Sequence, residues 1–192
     1  MVQSAVFGYL IGSVPFGVLL ASLRGVRLQE VGSGNIGATN VSRALGPAAG
    51  LLVLLLDAAK GALAAMLGYA LIGPWGFVLG GLGAALGHAY PVTLRFQGGK
   101  VVAVSLGVLL LTSPLAALVA VLVFLAMLLI TRIVSISALT GASAALLTLM
   151  VLPEPVESRV VVVGLWLLMV IRHAPNLRRL VAHQEPRLSV RR

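Results

Sequence analysis

Cysteine does not occur in this sequence. That removes disulfides, thiolate nucleophiles and thiolate metal sites together. Acidic residues are scarce, five Asp and Glu against fourteen Lys and Arg, and they form no carboxylate cluster of the kind a metal site needs. Charged residues make up only 10% of the chain, against about 25% in a soluble domain. A chain so poor in charge cannot cover a folded surface with polar groups, so its surface must face something other than water. Aromatic residues are few as well, at 5%. The basic residues therefore sit in short gaps between apolar runs with hardly any aromatics among them. That pattern belongs to membrane-protein loops and not to a nucleic-acid surface, and its partners are membrane lipids and anionic substrates.

Apolar sequence is what the chain has in quantity: 59% of the 192 residues are hydrophobic, and the mean hydropathy is +1.08. A spanning helix needs about 20 apolar residues. Seven segments are expected to span, at 2–23, 44–70, 75–91, 101–112, 114–131, 134–151 and 159–172. Gly73-Pro74, Gly98-Gly99, Ser113-Pro114 and Pro153-Glu154-Pro155 supply the breaks between them. The fourth segment is too short to cross alone without distortion. The first charge, Arg24, follows the first apolar run, so 2–23 reads as a retained span and not as a signal peptide.

The loops are asymmetric. Twelve of the fourteen Lys and Arg fall on one side: Arg24, Arg27 and Arg43, then Arg95 and Lys100, then Arg132, then Arg172, Arg178, Arg179, Arg187, Arg191 and Arg192. The other side has only Arg159, beside Glu154 and Glu157, while Lys60 lies within a span. By the positive-inside rule the N-terminus is expected in the periplasm and the C-terminus in the cytoplasm. The expected fold is thus an all-α integral membrane protein of seven transmembrane helices, one domain over 1–192. From Leu177 onward a short basic helix is expected at headgroup level.

Polar chemistry gathers on the basic side. The first loop reads Val31-Gly32-Ser33-Gly34-Asn35-Ile36-Gly37-Ala38-Thr39-Asn40-Val41-Ser42-Arg43. Gly32, Gly34 and Gly37 match a dinucleotide fingerprint, but that fingerprint needs a preceding strand, and here a membrane helix precedes it. Its physics still applies. Glycines let backbone N–H groups approach an anion, and a helix starting near Thr39 or Asn40 offers its positive dipole end. Ser33, Asn35, Thr39 and Asn40 add hydrogen-bonding groups, and Arg43 can fork onto a phosphate.

The second loop, Gln97-Gly98-Gly99-Lys100-Val101, is not a Walker loop: Leu94 stands where that pattern wants Gly, and Val101 where it wants Ser or Thr. Gly98, Gly99 and Lys100 nevertheless present N–H groups and a cation at a helix start. The last span ends Arg172-His173-Ala174-Pro175-Asn176, where His173 is suited to binding a phosphate or positioning a hydroxyl. Ser135 and Ser137 follow Arg132. Serines in spanning helices mostly bond their own backbone, yet Ser137 is kept among the catalytic candidates. Asp57 and Lys60, i,i+3 inside a span, read as a self-neutralising pair that fixes helix packing, and His88 as a structural hydrogen bond.

Strong bases and nucleophiles are missing. Thr93, Arg178 and Leu188 stand five residues after His88, His173 and His183, so no His-x-x-x-x-Asp occurs. Gly141-Ala142-Ser143-Ala144-Ala145 matches only the first half of a nucleophile elbow and lies mid-helix. A site rich in anion-holding groups and poor in bases suits a substrate that arrives already activated.

The chain resembles the PlsY family, the bacterial membrane-integral acyl-phosphate:glycerol-3-phosphate acyltransferases. The likeness runs from Gly12-Ser13-Val14-Pro15-Phe16-Gly17 through Gly32 to Val41, Asp57-Ala58-Ala59-Lys60-Gly61, Gly87-His88, Gly98-Gly99-Lys100 and Arg132-Ile133-Val134-Ser135 to Arg172-His173 with Asn176. Two departures are Val101, where the family usually has Gly, and Ala89-Tyr90-Pro91 after His88.

The resemblance implies a seven-helix protein of the bacterial inner membrane with its active site facing the cytoplasm. It implies transfer of an acyl group from acyl phosphate to the 1-hydroxyl of sn-glycerol 3-phosphate, giving lysophosphatidic acid and phosphate. It implies no metal, no cofactor, and neither acyl carrier protein nor a coenzyme A thioester as donor. Ser33, Asn35, Thr39, Arg43, Lys100, Ser137, His173 and Asn176 are then the expected catalytic residues, with Gly32, Gly34, Gly37, Asn40, Gly98 and Gly99 binding substrate phosphate. The rival reading is a membrane anion transporter or channel. Such proteins hold their sites near the midplane between related halves, and no repeat is visible here. A third reading is a lipid-binding scaffold.

Overall fold

The computed structural model describes residues 1–188, in which the apolar runs punctuated by Gly and Pro fold as helices. Ten α-helices follow one another: α1 (Val2–Gly12), α2 (Phe16–Ser22), α3 (Ala38–Leu45), α4 (Pro47–Ile72), α5 (Pro74–Ala89), α6 (Val102–Thr112), α7 (Pro114–Thr131), α8 (Val134–Val151), α9 (Val156–Arg172) and α10 (Ala174–Val181). Pro opens α4, α5 and α7 at their first turn, where its missing N–H costs nothing. No strand occurs among the described residues. Arg191 and Arg192, two of the tail arginines in the charge count, lie outside the described residues.

Among the described residues, five stretches are long and apolar enough to cross a membrane: Val2–Ser22, Pro47–Ile72, Pro74–Leu94, Pro114–Thr131 and Val134–Val151. α9 and α10, bent by 52° at their junction, make a sixth if taken as one. The remaining expected span is α6, whose 11 residues reach only about 16 Å at 1.5 Å per residue. Two expected spans, 114–131 and 134–151, coincide with α7 and α8. The first is broken at Ser13–Pro15 into α1 and α2, because Pro15 has no N–H to continue the ladder. The basic tail helix begins at Ala174, three residues before the expected start. Large apolar side chains such as Leu55, Met66, Leu118, Leu122 and Leu129 stand exposed around the helices. An apolar surface of this extent requires lipid.

The chain is laid out as two compact units, Met1–Val108 and Leu109–Arg192, with the boundary inside α6. In the first unit α5 packs against both α1 and α4. The contact is glycine-built. A Cβ on Gly8 of α1 would meet the Gly80 carbonyl, and a Cβ on Gly80 would meet the Ala64 carbonyl of α4. Lipid tails are as apolar as side chains, so helices in a bilayer gain by close backbone approach, which small residues permit. In the second unit α7 packs along α8, and α8 along α9. There Trp166 Nε1 donates to Ser143 Oγ at 3.0 Å. Ser143, the half-match to a nucleophile elbow, is thus a helix-to-helix tie.

Candidate active site

The first loop is built on its own polar residues. Gly32 and Gly34 take φ of +58° and +67°, values a side chain resists. Space decides at Gly32 too, where an added Cβ would stand 2.5 Å from Asn40 Oδ1. The Gly34 N–H donates to Val31 O at 3.0 Å and closes the turn. Asn40 is buried at the heart of the loop. Its Nδ2 donates to Leu28 O at 3.2 Å and to Val31 O at 3.0 Å, and its Oδ1 accepts the Ser33 N–H at 3.1 Å. Both ends of its amide therefore serve the loop, so the structure uses Asn40 as a brace where a phosphate ligand was expected. Asn35 Oδ1 accepts the Gly37 N–H at 3.0 Å, an Asx turn that leads into α3.

α3 begins at Ala38, and the first amides of a helix have no acceptor inside it. Beneath the loop, Ala21, Leu28, Ile36, Val41 and Val53 form an apolar cluster, against which Ala38, Ala44, Leu45 and Leu94 also pack. This floor turns the polar face outward: Ser33 and Arg43 are exposed, and Asn35 and Thr39 are half-buried. The cluster also ties the first loop to Leu94, six residues before Lys100.

The second loop is clamped to the end of α5. The Gly99 N–H donates to His88 O at 2.9 Å. A Cβ on Gly98 would meet the His88 carbonyl, and one on Gly99 would meet His88 Nε2. Only glycine fits either place. Lys100 follows, half-buried. Val101 then adopts φ +58° and is fully buried. For a β-branched residue that region costs roughly 1–2 kcal/mol. Its carbonyl accepts the Ser105 N–H at 2.8 Å and starts α6. The left-handed geometry that glycine would take readily is thus kept by valine under strain, held by its surroundings.

The second unit holds the remaining expected residues. Ser137 Oγ donates to Ile133 O at 2.9 Å and is completely buried. His173, also buried, places Nδ1 2.8 Å from Met169 O. A carbonyl can only accept, so Nδ1 carries a proton, and in the neutral ring Nε2 is then an acceptor.

Asn176 is buried, and its Nδ2 donates to Glu185 Oε1. Glu185 escaped sequence reasoning, although it is a lone carboxylate in a basic tail. Ser135 Oγ donates to its Oε1 at 2.8 Å and Arg179 Nε to its Oε2 at 2.8 Å. Partial burial works against the charged form of Glu185. The hydrogen bonds from Asn176, Ser135 and Arg179, with the Arg179 charge, outweigh it and hold the carboxyl below its ordinary range. A depressed carboxyl stabilises the fold fully above the unfolded-state pKa, near about 4.3, and that stabilisation is lost as pH falls through the folded value. Glu185→Ala is accordingly expected to lower stability at pH 7 by about 1.5–3 kcal/mol, the worth of a hydrogen bond to a charged group. Glu185→Gln, which keeps one acceptor, should cost less and flatten the acid limb of the stability curve. Thermal unfolding in detergent between pH 7 and pH 3 reads both effects. An unchanged acid limb in Glu185→Gln would remove this carboxylate from the account.

No group of three or more His, Asp or Glu able to hold a metal ion occurs among the described residues. The first unit presents glycine-cradled backbone amides with the cations Arg43 and Lys100, the equipment of an anion-binding protein, and the second carries His173 and Asn176; both belong to an integral membrane helical protein. Residues 2–183 match the family model for glycerol-3-phosphate acyltransferase, and the chain belongs to that family.

Its relatives agree over nearly their whole length. A glycerol-3-phosphate acyltransferase of Symbiobacterium thermophilum is 48% identical over 191 residues, covering 100% of this chain and 96% of that one. A crystal structure of PlsY, an integral membrane glycerol 3-phosphate acyltransferase, in its glycerol 3-phosphate form superposes with a TM-score of 0.93 at 42% identity, covering 98% of this chain and 95% of that chain. Its lysophosphatidic acid form gives 0.91 at 40% identity, with coverage of 98% and 95%.

Proposed function

We propose that this protein transfers a fatty acyl group from acyl phosphate to the 1-hydroxyl of sn-glycerol 3-phosphate, giving lysophosphatidic acid and inorganic phosphate. The observation that carries the reading is the pair of glycine-built loops, braced by Asn40 and clamped by His88, in a chain of the glycerol-3-phosphate acyltransferase family. Acyl phosphate is a mixed anhydride. The hydroxyl oxygen attacks its carbonyl carbon, the C–O bond to phosphorus-bound oxygen breaks, and phosphate leaves with the electron pair. Two anions must therefore be held side by side, with the hydroxyl aligned on the carbonyl and the developing charge stabilised.

Ser33, Asn35, Thr39 and the first-loop amides are assigned to the acyl-phosphate headgroup. Arg43, Lys100, His173 and Asn176 are assigned to glycerol 3-phosphate, and Ser137 supports the same chemistry. The hydroxyl proton passes to a substrate phosphate oxygen. The His173 tautomer adds the ring nitrogen Nε2 as an acceptor that can orient that hydroxyl. By the charge asymmetry of the loops, the N-terminus lies in the periplasm and both glycine loops face the cytoplasm from the inner membrane, with α6 as the seventh, shortened crossing. The family assignment leaves the transporter reading without support.

Purified protein given acyl phosphate and labelled glycerol 3-phosphate is expected to form lysophosphatidic acid. Acyl-coenzyme A and acyl carrier protein thioesters, supplied in place of acyl phosphate, should give none. Robust turnover with acyl-coenzyme A alone would overturn the donor assignment.

A further inference from the structure

The break between α1 and α2 leaves main-chain carbonyls at Ser13 and Val14 outside regular helix. Within a bilayer such groups need partners from the protein. Thr93 Oγ1 donates to Ser13 O at 3.1 Å, and Lys60 Nζ donates to Val14 O at 2.8 Å. Lys60 has two more neighbours. Asp57 Oδ1 stands 2.7 Å from Nζ and His88 Nδ1 3.0 Å from it, while the Phe16 ring lies 5.6 Å away. Asp57, Lys60 and His88 are all buried.

An ammonium carries three N–H bonds and accepts none. Val14 O and His88 Nδ1 each take one N–H of this ammonium, and Asp57 Oδ1 stands in ion-pair contact with it. The assignment fixes His88: Nδ1 accepts, the ring is neutral, and its proton sits on Nε2. A charged imidazolium would set a second N–H against the ammonium. Nε2 is the edge that lies where a Gly99 side chain would go, and the His88 carbonyl takes the Gly99 N–H. One residue therefore meets the second loop with both its ring and its backbone. A pair serving only to neutralise itself would need Asp57 and Lys60 and nothing more. Here the pair reaches α5 and, through it, a loop whose last residue, Val101, is strained. Strain of that kind persists only where neighbours over-determine the backbone.

We infer that Asp57, Lys60 and His88 are positioning residues for the Gly98-Gly99-Lys100 loop. The buried ion pair locks the His88 ring in its Nε2–H tautomer, and the ring edge and carbonyl hold the loop in the shape that offers Lys100 to a substrate phosphate. The inference rests on the reading that this loop grips glycerol 3-phosphate. Substrate specificity thus reaches back from the loop to a charge pair inside the membrane, tied in turn to the α1–α2 break.

The test uses the full-length protein in detergent and measures two quantities separately: the dissociation constant for glycerol 3-phosphate by calorimetry without donor, and acyl transfer. His88→Asn keeps an acceptor near the Nδ1 position and loses the ring edge. His88→Gln carries an amide N–H to the Nε2 position. His88→Asn is expected to weaken glycerol 3-phosphate binding about tenfold, as for one lost charge-directed contact, and His88→Gln to stay within about threefold. The KM for acyl phosphate should not move in either. A lowered melting temperature with an unchanged dissociation constant in His88→Asn would mean a merely structural role and overturn the inference, as would equal losses in both variants.

Where either fails to fold, Gly99→Ala decides. Its added methyl should weaken binding in the wild-type background and add little once His88→Ala has cleared the space, because directly touching residues couple. Fully additive losses overturn the contact. A wild type that binds glycerol 3-phosphate without acylating it overturns the donor reading alone. One that binds none overturns both.

Discussion

Lys100→Ala and Arg43→Ala are each expected to lower kcat/KM for glycerol 3-phosphate by about tenfold to more than a hundredfold, since under the proposed assignment each removes a charge-assisted bond to substrate phosphate worth roughly 1.5–3 kcal/mol. The two cations come from different loops of one unit. Arg43 sits in the last turn of α3, its stem beside Gly32 (an added Cβ there would lie 3.9 Å from Arg43 Cδ), and Lys100 follows the clamped Gly99. Arg43 is exposed and Lys100 half-buried, so both variants should insert and fold. Arg43→Lys should recover only part of the loss, because an ammonium cannot reproduce the planar fork of a guanidinium. Steady-state kinetics on correctly inserted protein decide the matter. Near-normal kcat/KM in both alanine variants would make these residues topology signals and nothing more.

Gly80→Val should have the largest effect on the fold. Gly80 lies on α5 where that helix meets two others. Its own Cβ would collide with the Ala64 carbonyl of α4, with Ala64 C at 3.0 Å and Ala65 Cα at 3.4 Å behind it. On the other side, Gly8 of α1 already abuts the Gly80 carbonyl. Every obstacle is backbone, so no rotamer change relieves the clash. Overpacking typically costs about 1–3 kcal/mol where side chains can give, and here whole helices must part, so the upper end or beyond is expected. Thermal unfolding and gel filtration in detergent should show a lower transition and loss of the monodisperse form. Leu51→Val, at an exposed position on α4, is the matched change and should leave both unchanged. A Gly80→Val protein melting within about 2 °C of wild type, a shift worth about 0.5–1 kcal/mol for a chain of this size, would show that the helices are not held by this approach.

Much of the fold can be read from the sequence because hydropathy and Gly-Pro punctuation are local signals. The bounds of α7 and α8 follow from Ser113-Pro114, Arg132 and Pro153-Glu154-Pro155 in this way. The break after Gly12 is less legible: Pro15 is visible, but whether a proline kinks a span or ends it depends on what donates to the freed carbonyls. Lys60 and Thr93 do so here, 46 and 80 residues away in sequence.

The candidate site divides along the same line. By itself the sequence determined an all-helical membrane protein with two glycine-rich, cation-bearing loops on its basic side, because composition and short motifs carry that information within a dozen residues. Only the tertiary structure decided what individual polar side chains do. Asn40 looks like a ligand in the motif and is a brace in the fold, since Leu28 O and Val31 O take its amide hydrogens. Glu185 looks like an incidental acid in a basic tail and is the point where Ser135, Asn176 and Arg179 meet. Lys60 and Asp57 look like a closed pair, and His88 opens them toward the loop. The physical reason is common to all three. A polar group's role is set by the partner that satisfies it, and in each of these cases a partner lies nine or more residues away, brought close by helix packing that no local pattern records.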